Sequence, residues 1–161
     1  GRLLDAEGRD VGTFTQRVSL VPGLALALLD IDLTVPKLHR SGPLLEAYAA
    51  CRFAWNENDD LDLCRSLHAE PIVTERARFT SPHFLELRPT GGRGDKVFIC
   101  TGGLPWHVRA APHMVDSILL AGGRQAGSFR LAVGLGIDQP RAVALALLAD
   151  GRAPSPAGTA G

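Results

Sequence analysis

The sequence predicts an all-β fold, an antiparallel β-sandwich with one short C-terminal helix. Three observations carry this. Apolar residues recur at every second position in a series of short runs, Gly or Pro turn signals separate those runs every 8 to 15 residues, and helix-forming composition is confined to residues 140–150. A length of 161 residues suits a single domain that buries a substantial core without metal or disulfide staples. The sandwich is expected over residues 1–150, with residues 151–161 as a disordered tail.

The clearest strand is LLDIDLTV at 28–35, where Leu29, Ile31, Leu33 and Val35 share one side and Asp30, Asp32 and Thr34 the other. TFTQRVSLV at 13–21 puts Phe14, Val18 and Leu20 on one face, and the intervening VPG signals a turn, so the two runs predict a hairpin. In EAYAACRFAW at 46–55, alanines favour helix. The alternation of Cys51, Phe53 and Trp55 against Arg52 and Ala54 favours a strand from about Ala49. IVTERAR (72–78), HFLELR (83–88) and KVFICT (96–101) are further β-rich runs, and DSILLAG (116–122) with SFRLAVGL (128–135) predicts a second hairpin joined by GRQAG. PRAVALALLAD at 140–150 places proline in the first turn of a helix. GRAPSPAGTAG, the last eleven residues, has no apolar pattern. The expected core comprises Phe14, Leu29, Ile31, Phe53, Trp55, Phe98, Leu119, Phe129, Leu131 and Val133.

Seventeen basic side chains balance seventeen acidic ones, which removes the electrostatic argument for a nucleic-acid or anionic-membrane partner. The longest apolar runs, such as LVPGLALALL at 20–29, are broken by Pro and Gly and fall short of the roughly 20 residues that a membrane-spanning helix needs. Cys51, Cys64 and Cys100 show no paired-ligand spacing, so free thiols are expected and a reducing, cytoplasmic compartment is favoured. The chain opens on Gly1 with strand-like patterning close behind and without a signal peptide, and a fragment of a longer polypeptide is expected.

Several chemical motifs fail on spacing. NENDDLD at 56–62 lacks the glycine and glutamate of a calcium loop, since Leu61 and Leu67 stand at those positions, and Asp59, Asp60 and Asp62 read as a solvated turn. A G-x-S-x-G nucleophile turn, a P-loop and a dinucleotide-binding glycine pattern are absent. Chemistry-bearing residues crowd instead into TGGLPWHVRAAPHMVD at 101–116. His107 and His113 are six apart, not at the i, i+4 spacing of a helical metal pair, although on a loop they could converge with Asp116 or Glu86. Trp106, His107, Arg109 and His113 are candidate ligand contacts, because an indole can stack on a sugar ring while a guanidinium forks to oxygens. A purely structural reading stays open: Gly102 and Gly103 form a tight turn, Trp106 covers the sandwich edge and His107 bonds to backbone.

Four segments in order, VGTFTQRVSLVPG (11–23), YAACRFAWNE (48–57), RFTSPHFLEL (78–87) and TGGLPWHVRAAPHMVDSILL (101–120), resemble the C-terminal β-sandwich region of large bacterial proteins related to glycoside hydrolase family 38, the α-mannosidases. The resemblance spans roughly residues 5–150. It implies a lobe of a galactose-mutarotase-like supersandwich, preceded in such proteins by an α/β barrel that holds a divalent metal, usually zinc, and an aspartate nucleophile. None of those ligands nor the nucleophile maps onto a position here. The expectation is therefore a non-catalytic lobe of a carbohydrate-active hydrolase. Its partners would be the catalytic barrel of the same polypeptide and carbohydrate; no metal or other cofactor is expected in this chain, zinc belonging to the missing barrel. The alternatives are an independent carbohydrate-binding module built on Trp106 and Arg109, a small metalloenzyme using His83, His107 and His113, and a purely structural interaction domain.

Overall fold

The computed structural model describes residues 1–5, 7–36, 47–67 and 70–149. Two antiparallel sheets pack face to face. In spatial order, the larger contains β1 (Arg2–Leu4), β2 (Asp10–Leu20), β3 (Leu26–Thr34), β12 (Ala126–Leu135), β9 (Val97–Cys100), β8 (Phe84–Pro89), β5 (Leu61–Leu67) and β6 (Glu70–Val73). The smaller contains β4 (Tyr48–Ala54), β11 (Met114–Ala121), β10 (Trp106–Ala111) and β7 (Arg78–Thr80). A single described helix, α1 (Pro140–Ala149), lies on the outer face of the larger sheet. The expected disordered tail, residues 151–161, lies outside the described residues.

Period-two patterning explains which face each strand buries. On β3 and β12, Ile31, Leu33, Phe129 and Leu131 turn inward to meet Leu119 and Leu120 of the smaller sheet. Farther along, Leu63, Leu85, Leu87 and Ile99 meet Phe79 and Val115. The other face of the larger sheet presents Leu26, Phe84, Phe98, Cys100 and Ala132, and α1 covers it with Ala144, Val143 and Leu147. Each fully buried Leu or Phe stabilises the fold by roughly 1.5–3 kcal/mol. The aspartates of LLDIDLTV sit on the polar face opposite β12, in register with their partners. Arg130 Nε donates to Asp30 at 2.7 Å and the Ser128 hydroxyl to Asp32 at 2.6 Å.

The β2–β3 hairpin forms as expected, pairing Thr13 with Thr34 through Leu20 with Ala27, and Gly23 takes φ 78° in its turn. The expected second hairpin does not form. β11 belongs to the smaller sheet and pairs with β10 and β4, whereas β12 belongs to the larger and pairs with β3 and β9. The turn at 122–125 carries the chain across the sandwich, because β11 and β12 bury faces on opposite sides of one core. IVTERAR also divides: β6 ends at Val73 in the larger sheet and β7 starts at Arg78 in the smaller. LDLCRSL at 61–67, which follows the acidic turn, is a central strand with Leu63 and Cys64 buried.

Among the expected core residues, Ile31, Phe98, Leu119, Phe129 and Leu131 are buried, and Phe14, Leu29, Phe53, Trp55 and Val133 are half-buried. Phe14, Val18 and Leu20 do share the inward face of β2, since their partners Leu33, Leu29 and Ala27 alternate with it in register. Yet Val18 is 59% and Leu20 80% exposed, because the four-stranded sheet does not reach that end of the hairpin.

Gly102, in the turn from β9 to β10, has φ +60°, and a Cβ there would fall against the Arg130 carbonyl oxygen. Gly102→Ala is expected to destabilise the chain by about 2 kcal/mol or more, from left-handed strain plus the clash. Urea unfolding measures this, and a loss no larger than that of an exposed loop substitution would contradict the placement.

Candidate functional site

TGGLPWHVRAAPHMVD is mostly strand, not loop. Residues 101–105 cross from the larger to the smaller sheet, β10 follows, and Pro112 and His113 turn the chain into β11. Proline at 105 and at 112 brackets a six-residue strand, and the alternation inside it decides where each side chain goes.

His107 points into the sandwich and is 0% exposed. A carbonyl oxygen can only accept, so His107 Nε2–H donates to the Ser81 carbonyl at 3.0 Å, and Nδ1 accepts from the Ser117 hydroxyl at 3.1 Å. The ring stacks on Phe79, with centroids 5.5 Å apart. Ser81 continues the network: its hydroxyl donates to the Phe84 carbonyl at 2.6 Å and accepts from the Ser66 backbone N–H at 2.9 Å. This chain of buried bonds runs from β5 through the β7–β8 connection to β10 and β11, so it ties the sheets together. Burial pulls the His107 pKa down to about 4, against the opposing effect of the carbonyl hydrogen bond.

Trp106 takes the opposite, outer face and is 44% exposed. Arg109 returns to the side of His107, where its guanidinium donates to the carbonyls of Pro112 at 2.9 Å and Thr74 at 3.5 Å. Trp106 and Arg109 therefore sit on opposite faces of one strand. His113 lies in the β10–β11 turn with its ring edge-on to Trp55 at 6.0 Å, and its Nδ1 and Trp55 Nε1 are buried without a hydrogen-bond partner. His83 stands in the β7–β8 connection. Glu86 lies on the helix side of the larger sheet, bonded to Arg88 Nε at 2.5 Å. No three His, Cys, Asp or Glu side chains among the described residues converge as a metal-binding group.

What the fold assembles instead is a row across the outer face of the smaller sheet, with Arg78, Val108, Asp116 and Arg52 opposite one another on β7, β10, β11 and β4. Asp116 is 2% exposed, and Arg52 grips both of its oxygens, Nε to Oδ1 at 2.7 Å and the second nitrogen to Oδ2 at 2.8 Å. The Tyr48 phenol also donates to Oδ2 at 3.0 Å, and burial together with the Asp116 carboxylate pushes its pKa up. In the next row stand Thr80 and Trp106. Sequence reasoning missed Arg78, Arg52 and Tyr48 as members of this face. Arg52 carried a signal, since it alternates with Cys51 and Phe53, whereas a three-residue strand is too short to display its period at Arg78.

The cysteines are free thiols, as expected: Cys64 and Cys100 are buried, and Cys51 is half-buried with its pKa pushed up to about 11 by desolvation and by Asp116. Comparison with known proteins found nothing similar: no family model matches the chain, and no curated protein or solved structure matches it significantly. The resemblance to glycoside hydrolase family 38 therefore rests on the quoted segments alone.

Folding keeps His107 neutral down to about pH 4, whereas the unfolded chain takes up that proton near 6.5. The stabilisation it confers is complete above pH 6.5 and declines as pH falls toward 4, by roughly 3 kcal/mol at about 1.4 kcal/mol per unit. Urea unfolding at stepped pH should show this slope, and His107→Asn should flatten it in that window while lowering stability at neutral pH.

Proposed function

We propose that the chain is a non-catalytic β-sandwich lobe of a carbohydrate-active hydrolase resembling the α-mannosidases, acting through packing and surface contact. The supporting observation is how the most reactive residue types of 101–116 are used. His107 is sealed between the sheets with both ring nitrogens bonded, and Asp116 is held on both oxygens by Arg52 and Tyr48. A histidine that meets no solvent and a buried carboxylate with both oxygens engaged suit construction better than proton transfer to a substrate, which requires hydrogen-bond reach. Activity would then reside in the catalytic barrel of the same polypeptide, with any zinc held there. With zinc supplied, the 161-residue chain is expected to hydrolyse an aryl α-mannoside no faster than buffer does. Turnover that disappears in Asp116→Asn would overturn the reading.

The exposed Trp106 indole favours a second reading, an independent carbohydrate-binding module. The guanidinium that shares its face is Arg78, with Arg52 beyond it, whereas Arg109 is turned away. In that case Trp106→Ala and Arg78→Ala should each weaken mannoside binding about tenfold in calorimetry, as loss of ring stacking or of a forked bond would. An unaltered chain that gives no heat with mannosides leaves the first reading alone.

A further inference from the structure

Charge balances over the whole chain but not over the smaller sheet. Its four strands carry three arginines, Arg52, Arg78 and Arg109, against a single acid, Asp116. Arg52 is taken up by Asp116, and Arg109 turns to the carbonyls of Thr74 and Pro112. Arg78 is exposed, and among the described residues its side chain has no hydrogen bond or ion pair. Its charge and that of Arg52 both act on the Tyr48 phenol, so the two guanidiniums serve one stretch of the outer face.

Trp106 stands one row away on the adjacent strand. It faces Thr80, two residues from Arg78, while Val108 faces Arg78 itself, and the four side chains share the outer face. Diagonal neighbours of this kind lie roughly 7 Å apart, and Thr80 and Val108 at the other two corners are much shorter than the indole or the guanidinium. The indole is 44% exposed and makes no ring or cation contact among the described residues, so Arg78 does not occupy its face. Both residues stand on paired strands, and the β7–β10 ladder fixes their spacing.

We propose that Trp106 and Arg78 form a subsite for the uronic-acid unit of an acidic polysaccharide. This rests on the carbohydrate-binding reading above and assigns the charge of the sugar. A pyranose ring laid on the indole covers its apolar face, and a carboxylate on that ring lies within reach of Arg78, whose guanidinium donates two parallel hydrogen bonds to it. A neutral sugar has a hydroxymethyl group at that place, without the charge or the second acceptor oxygen. The indole favours a sugar over an acidic peptide, because a carboxylate on a flexible side chain brings no ring to stack.

The test is calorimetry on the 161-residue chain with two trimers of the same linkage, one of mannuronate and one of mannose, which differ only in oxidation of the sixth carbon. The uronate should bind about tenfold more tightly, and the margin should shrink as salt is added. Arg78→Gln should level the two with unchanged melting, and Arg78→Lys should keep part of the margin. Trp106→Ala should weaken both trimers, whereas Trp106→Tyr, which keeps a stacking ring, should retain them. Equal affinity for the two trimers, both lost in Trp106→Ala, would overturn the charged ligand and leave the carbohydrate-binding reading standing. Binding of neither trimer ends both. A glutamate peptide that binds as tightly as the uronate and is indifferent to Trp106→Ala would overturn the proposal in favour of an acidic peptide.

Discussion

Four strands must cover the apolar face of eight, and much of the molecule follows from that constraint. The smaller sheet lies over the stretch from β3 to β5, where Leu131, Leu120, Leu85 and Val115 are sealed. On the reverse side of the larger sheet α1 supplies the missing layer, using Ala144 to approach closely and Val143 and Leu147 to fill the space beside Phe84 and Phe98. β1 and β2 receive no such cover, so the same alternation that seals Ile31 leaves Val18 in solvent.

The connections obey the same requirement. Strands that follow one another in sequence need not be neighbours, and the chain changes sheet after β3, β4, β6, β7, β9 and β11. Each crossing brings backbone polar groups near the core, where an unpaired one costs about as much as a lost hydrogen bond. The Ser66, Ser81, His107 and Ser117 network answers that cost at one end of the sandwich. It satisfies the Phe84 carbonyl and the Ser66 N–H while binding elements of both sheets. A histidine suits the position because one neutral ring both donates and accepts, and desolvation keeps it neutral.

On the outer face of the smaller sheet the balance differs. Arg52 and Tyr48 shield the Asp116 carboxylate and supply its hydrogen bonds, and the Arg52 side chain remains 56% exposed. The result is a polar cluster with an exposed indole in the adjacent row, built on rigid strands rather than on a loop. The hydrogen bonds within the cluster fix the orientation of its charged groups.

Alternation and punctuation are local properties, and the sequence by itself determined what they control: the fold class, the β2–β3 hairpin, the strand at Tyr48–Ala54, the terminal helix and the inward side of β3. Two neighbouring runs look alike whether they pair with each other or with distant strands, which is why SFRLAVGL resembled a hairpin partner of DSILLAG. The partners of β12, β3 and β9, are separated from it by long stretches of chain, and only the tertiary structure decided that pairing. It decided the site in the same way. Trp106, His107 and Arg109 are close in sequence, but a strand sends alternate residues to opposite faces, so the fold buried His107, turned Arg109 to backbone carbonyls, and set Trp106 on the side of Arg78, Asp116 and Arg52, residues that only sheet register brings together.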